Sequence, residues 1–138
     1  MIDWATYRFW TKAALPLAAL VILLGCGGSK YGYVPPPELR KKVAFSFAGV
    51  DKNGLMGSAA GRVPLYYEFC IPEADSFQAQ VLKIDTTLQL QHSPGRVGCK
   101  PGVQILCIGN THQPDYQRVV YKLAALPYVD RIERTYFE

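Results

Sequence analysis

Strong charge of either sign is the first thing this sequence lacks. Asp, Glu, Lys and Arg make up 19% of the 138 residues, and the formal charge is +4. Removing residues 1–25 takes away Asp3, Arg8 and Lys12 and leaves 13 basic against 10 acidic residues. Arg40-Lys41-Lys42 is the one basic cluster, and no arginine-rich run is interleaved with aromatics. Nucleic acid is therefore not an expected partner. Metal and redox signatures are equally thin. The four cysteines form no Cys-x-x-Cys pair. Asp51-Lys52-Asn53-Gly54 begins like a calcium loop, but no bidentate acid follows at the required spacing, so the string reads as a turn. No acid is evidently paired with His112, and no Ser-His-Asp order stands out. No catalytic residue, metal ligand set or cofactor is assigned on this basis.

A membrane-spanning length is missing too. Residues 13–25, AALPLAALVILLG, are free of charge. As a helix they would cover roughly 20 Å, short of the ~30 Å hydrocarbon core. The length suits the apolar region of a secretory signal, preceded here by a polar segment with Arg8 and Lys12. Small residues follow at once, in Gly25-Cys26-Gly27-Gly28-Ser29. Leu23-Leu24-Gly25-Cys26 resembles the lipobox of bacterial lipoproteins, although Leu24 stands where that family usually has a smaller residue. The resemblance covers about the first 30 residues. It implies cleavage between Gly25 and Cys26, acylation of the Cys26 thiol, and attachment to a lipid bilayer. Two or three acyl chains on one residue anchor stably where a single chain does not. By the sorting rule of that family, Gly27 in place of Asp implies the outer membrane, facing the periplasm, in a Gram-negative cell.

After this signal, residues 26–41 read as the lipidated cysteine and a tether. Glycines and Ser29 give flexibility, and Pro35-Pro36-Pro37 favour an extended polyproline stretch. Residues 42–138 are expected to form one α+β domain; hydrophobic residues make up 49% of the chain, enough for a globular core. Residues 42–48 alternate as a short strand. Val63, Leu65, Tyr67, Phe69 and Ile71 then mark a strand with one buried face, closed by Pro72. Ala74, Phe77, Val81 and Ile84 fall on one helical stripe. Residues 86–92 alternate again, 93–102 (SPGRVGCKPG) form a long hairpin loop, and 103–108 form an apolar strand. Asn110 or Thr111 is expected to cap a helix carrying Tyr116, Val119, Val120, Leu123 and Leu126. Residues 128–137 finish as an edge strand. The order β-α-β-β-α-β resembles the ferredoxin-like sandwich. That resemblance implies first and third strands side by side and parallel, helices on one face, and an extra N-terminal strand over 42–48 available to an edge.

Cys70, Cys99 and Cys107 remain in the domain, and an envelope compartment permits one bridge. Alternation puts Cys70 and Cys107 on opposite faces of their strands, which forbids a direct bridge. Cys99, on the loop, can reach either; Cys107 is the favoured partner. A second reading gathers Cys70, Cys107, Asn110 and His112 at one end of the sheet as a thiol and imidazole site for a soft metal or redox chemistry. A third comes from Leu123–Glu133, whose helix-Pro-strand pattern resembles the end of subtilisin-type propeptide inhibitors. With no catalytic constellation, the leading expectation is a non-catalytic binding module for an envelope protein partner.

Overall fold

The computed structural model describes residues 32–137, which belong to one compact unit. The leader, Gly25 and Cys26 lie outside the described residues. Among the described residues, no helix is long and apolar enough to cross a membrane.

The elements in chain order are α1 (Pro37–Arg40), β1 (Leu55–Met56), β2 (Val63–Pro64), β3 (Tyr66–Pro72), α2 (Asp75–Ile84), β4 (Gln89–Gln91), β5 (Gln104–Asn110), α3 (Tyr116–Ala124) and β6 (Ile132–Thr135). β1 and β2 pair as a small hairpin, while the main sheet runs in the order β4-β5-β3-β6. The domain is therefore α+β, with a four-stranded sheet and two longer helices.

Every pairing in the main sheet is antiparallel, including the central β3–β5 pair, which aligns Phe69 with Cys107 and Tyr66 with Asn110. The expected parallel sense of those two strands is thus corrected. β4 returns from α2 and turns back through the 93–102 loop into β5, so β5 meets β3 head to tail.

Alternation divides the sheet into two faces. Tyr67, Phe69 and Ile71 point to one face with Ile105, Cys107 and Ile132, and pack against Val81 of α2 and Val120 and Leu123 of α3. These are the apolar positions the period-2 and period-3.6 patterns single out. Leu106 and Ile108 point to the other face, where Cys99 and Val97 cover them. A loop therefore seals the side that has no helix.

Three segments depart from the sequence expectations. Residues 42–48 make only one parallel bridge, Val43 with Ile132 at the free side of β6. Past it the chain turns, with Ala48 N–H donating to Ser46 Oγ and Val50 N–H to the Phe47 carbonyl. Phe45 and Phe47 still point inward, onto Tyr67 and onto Tyr116 and Tyr121. The strand expected from residue 63 is split at Leu65. Its N–H donates to Thr111 Oγ1 at 3.0 Å and its carbonyl accepts from Thr111 N–H.

Thr111 is buried and its hydroxyl donates to the Gly54 carbonyl, so it fastens the hairpin instead of capping a helix. Asn110 Oδ1 accepts the His112 N–H in a turn, and α3 begins later, after Asp115 in the left-handed region at φ 51°. Gly54 is required at its own turn, because its φ is +77° and a Cβ there would sit 1.6 Å from the Thr111 carbonyl oxygen. Asp51 closes that turn as expected, accepting the Asn53 and Leu55 N–H groups and pairing with Arg62.

Part of the sequence tether is docked. Pro35 is buried and its carbonyl accepts from Arg40 Nε, Pro37 starts α1, and the Tyr33 ring lies 5.7 Å from that of Tyr121 on α3. Pro at the first helical position needs no N–H partner, which is why a proline run ends in a helical turn here.

Candidate functional site

The sheet face without helices carries the most distinctive surface. The Cys70–Cys99 disulfide, with Cα atoms 5.4 Å apart, pins the 93–102 loop across it. The expected Cys99–Cys107 pairing is corrected, and the reason is the loop's side. Val97 N–H donates to buried Glu68 Oε1 at 2.7 Å, and Cys99 N–H donates to the Pro94 carbonyl at 2.7 Å. Gly95, at φ +59°, lies so close that a Cβ would approach Leu106 Cδ1 to 2.7 Å. The loop thus lies flat on the face where Cys70 points, and the sheet separates it from Cys107.

Beside the disulfide a cleft of about 460 Å³ opens between the loop and the entry to β6. Cys70, Val97, Lys100, Gln104, Asp130 and Arg131 line it. Arg131 donates to Glu133 at 2.6 Å, and Gln104 Oε1 accepts the Lys100 N–H at 2.9 Å. At the far end of β6 the Tyr136 ring stacks with two guanidinium groups, 5.7 Å from Arg96 and 4.5 Å from Arg134. Phe137 meets Tyr66 edge to face at 4.7 Å, yet remains 63% exposed. Cation–π contacts of this kind hold rings at a surface that hydrophobic burial alone would not order.

The thiol and imidazole cluster expected from the sequence does not assemble. Cys70 is in the disulfide, and Cys107 is buried on the helix face. His112 is exposed, with Nδ1 3.1 Å from the Asn53 carbonyl oxygen. The antiparallel pairing is the cause: β5 exits beside the start of β3 at Tyr66, so Asn110 and His112 lie at the opposite end of that strand from Cys70. Burial, and then the Asp85 carboxylate, push the Cys107 thiol up to about 12. It is held as a neutral thiol, the form that neither attacks nor ligates. Among the described residues no three His, Cys, Asp or Glu side chains gather as a metal cluster.

A pH dependence follows. The folded thiol value lies above its ordinary 9.0, so the stability it contributes is full below pH 9 and is lost as pH climbs toward about 12. The expected slope is about −1.4 kcal/mol per pH unit for this one proton. Tyr67, raised by burial and by Asp85, adds a second loss above pH 10. Urea titrations between pH 9 and 10 should show the onset of this slope in the native sequence and its absence in Cys107→Ala.

Sequence reasoning missed a buried polar network at the end of the sheet remote from the cleft. Asp85, fully buried, accepts the Tyr67 hydroxyl on Oδ2. Its Oδ1 accepts from Thr87 N–H at 2.8 Å, Thr87 Oγ1 at 2.7 Å and Gln113 Nε2 at 3.0 Å. Gly109 lets the Tyr67 ring cross β5, since a Cβ there would lie 2.7 Å from the ring. With four donors on its two oxygens, this carboxylate fastens β3, the end of α2 and the turn after β5 together. The sequence also left the cleft unread: Lys100 lies in the 93–102 loop and Asp130 and Arg131 in the stretch expected as an edge strand, and nothing local groups them.

No family model, curated protein or solved structure matches the chain. Its functional reading rests on geometry and chemistry.

Proposed function

We propose that this chain is an envelope lipoprotein, anchored to a bilayer through acylated Cys26, whose domain is a non-catalytic binding module. The observation that carries the reading is the Cys70–Cys99 disulfide, a bond suited to an oxidising compartment, in a chain that also carries a lipobox-like leader. Two features with separate origins thus point to export. The outer membrane is the proposed site in a Gram-negative cell, because Gly27 follows Cys26. The strand order β4-β5-β3-β6, with α2 and α3 on one face, supports the ferredoxin-like reading of the fold. That architecture hosts many functions and adds no activity by itself.

Binding fits the surface better than catalysis does. The cleft beside the disulfide and the Arg96–Tyr136–Arg134 stack present fixed charged and aromatic groups on a rigid sheet. Tyr and Arg are the side chains that contribute most to interfaces. An envelope protein is the proposed partner class for the stack.

Membrane fractionation tests the anchor. Cys26→Ala is expected to block acylation and the cut that follows it, so the chain leaves the outer-membrane fraction with residues 1–25 still attached. Mass spectrometry of the wild-type product should find a diacyl or triacyl residue 26 at the amino terminus. An unmodified Cys26 with residues 1–25 still attached would overturn the reading.

A further inference from the structure

The cleft beside the disulfide has charges of both signs on its walls. Lys100 stands on the loop wall; Asp130 and Arg131 stand where the chain enters β6. The Arg131–Glu133 pair uses one of the five guanidinium N–H donors and steadies the side chain without exhausting it. Gln104 is held through its Oε1, which leaves its two amide N–H donors for other partners. Cys70 and Val97 supply apolar lining. The volume, about 460 Å³, falls within the roughly 300–1,000 Å³ of small-ligand sites.

On the cleft lining Lys100 and Arg131 stand against Asp130, and the Arg131 guanidinium is partly neutralised by its ion pair with Glu133. A simple anion would meet a like charge there, and so would a simple cation. A molecule with both charges satisfies both walls. We infer that the cleft binds a small zwitterion of the amino-acid or short-peptide class. Its carboxylate is held by Lys100 and Arg131, and its ammonium by Asp130. This rests on the binding-module reading and gives that module a ligand chemistry. The disulfide ties the loop wall to β3 beside the cleft, so reduction is expected to loosen that wall and weaken binding.

The test is an amide-shift titration of isotope-labelled full-length chain in detergent micelles. The probes are alanine, alanyl-alanine, its N-acetylated form and its C-terminal amide. The expected result is that alanine, alanyl-alanine or both shift the amides of residues 97–100 and 130–131; which of the two does so separates free amino acids from peptides. Each capped form should bind at least about tenfold more weakly, the loss of one charge-assisted contact. Lys100→Gln and Arg131→Gln should each weaken binding by a similar factor. Asp130→Asn should bring alanyl-alanine down to its N-acetylated form. All three positions are exposed, so the variants keep the fold.

No shift in these residues at about 0.1 M probe, or equal binding of capped and uncapped forms, would overturn the inference. If Cys26-dependent membrane retention persists alongside such a failure, the ligand class falls and the anchored module stands. Zwitterion binding by a chain that proves unacylated in cells would do the reverse.

Discussion

Asp85→Ala is expected to lower the unfolding free energy by about 3–4 kcal/mol, measured by urea denaturation of the oxidised full-length chain. The substitution removes the acceptor for the Tyr67 hydroxyl, the Thr87 N–H and hydroxyl, and the Gln113 amide. Thr87 Oγ1 keeps its bond from Asn110 N–H, and Gln113 Nε2 keeps the Asn110 carbonyl at 2.8 Å. The Tyr67 hydroxyl is the group left worst off, because its own side chain is buried against Phe45. A buried donor stripped of its acceptor costs about 1–3 kcal/mol, and the small void left by the carboxylate adds to that. Tyr67→Phe should cost less, about 1–2 kcal/mol, since the carboxylate retains its other donors. In the double variant the two losses should overlap by at least about 1 kcal/mol, the signature of a shared bond. Additive losses would show that the two groups act independently. A cost under about 1 kcal/mol for Asp85→Ala would show that water enters and replaces the carboxylate.

How much of this domain the sequence discloses depends on the range of the interaction. Local periodicity identified β3, α2, β5 and α3, and of the expected inward set Leu65, Tyr67, Phe69 and Ile71 are buried, while Val63, in the short β2 before the break at Leu65, is exposed. Those positions are legible because burial repeats every two residues in a strand and every three or four in a helix. Contacts between distant segments leave no such period. Thr111 looks like a helix cap from its neighbours, and only the hairpin 46–57 residues upstream explains its burial. Asp85 looks like the polar end of a helix, and its partners come from β3, residue 87 and residue 113.

The disulfide shows the same limit. Alternation correctly set Cys70 and Cys107 on opposite faces, so one of them had to be excluded as partner to Cys99. Which one depended on the face the loop covers. Glu68 and Gly95 settle that by holding the loop to the sheet, and neither advertises it locally. The candidate cleft inherits that difficulty, since its two charged walls lie about thirty residues apart in the chain and meet only through the β3–β6 pairing.

That bridge carries the second large effect. Cys70→Ala together with Cys99→Ala is expected to lower the unfolding free energy by about 3.5 kcal/mol, from the closure entropy of a loop with sequence separation 29. For a domain near 100 residues this corresponds to a fall in Tm of roughly 15–25 °C. Loss of the bridge leaves Val97 N–H on Glu68 and the packing of the loop on Leu106 and Ile108, so the loop should fray before the sheet does. Hydrogen exchange should therefore accelerate first in residues 93–102, while β3 and β5 keep their protection. Cys107 supplies an internal control. In the folded double variant its neutral, buried thiol should resist alkylation at neutral pH and react only as the whole domain opens. Alkylation of Cys107 at the rate of loop exchange would mean that the two faces of the sheet open together. A stability loss under about 1 kcal/mol would mean that Glu68 and the apolar contacts already hold the loop, leaving the covalent bond to guard the cleft wall more than the fold.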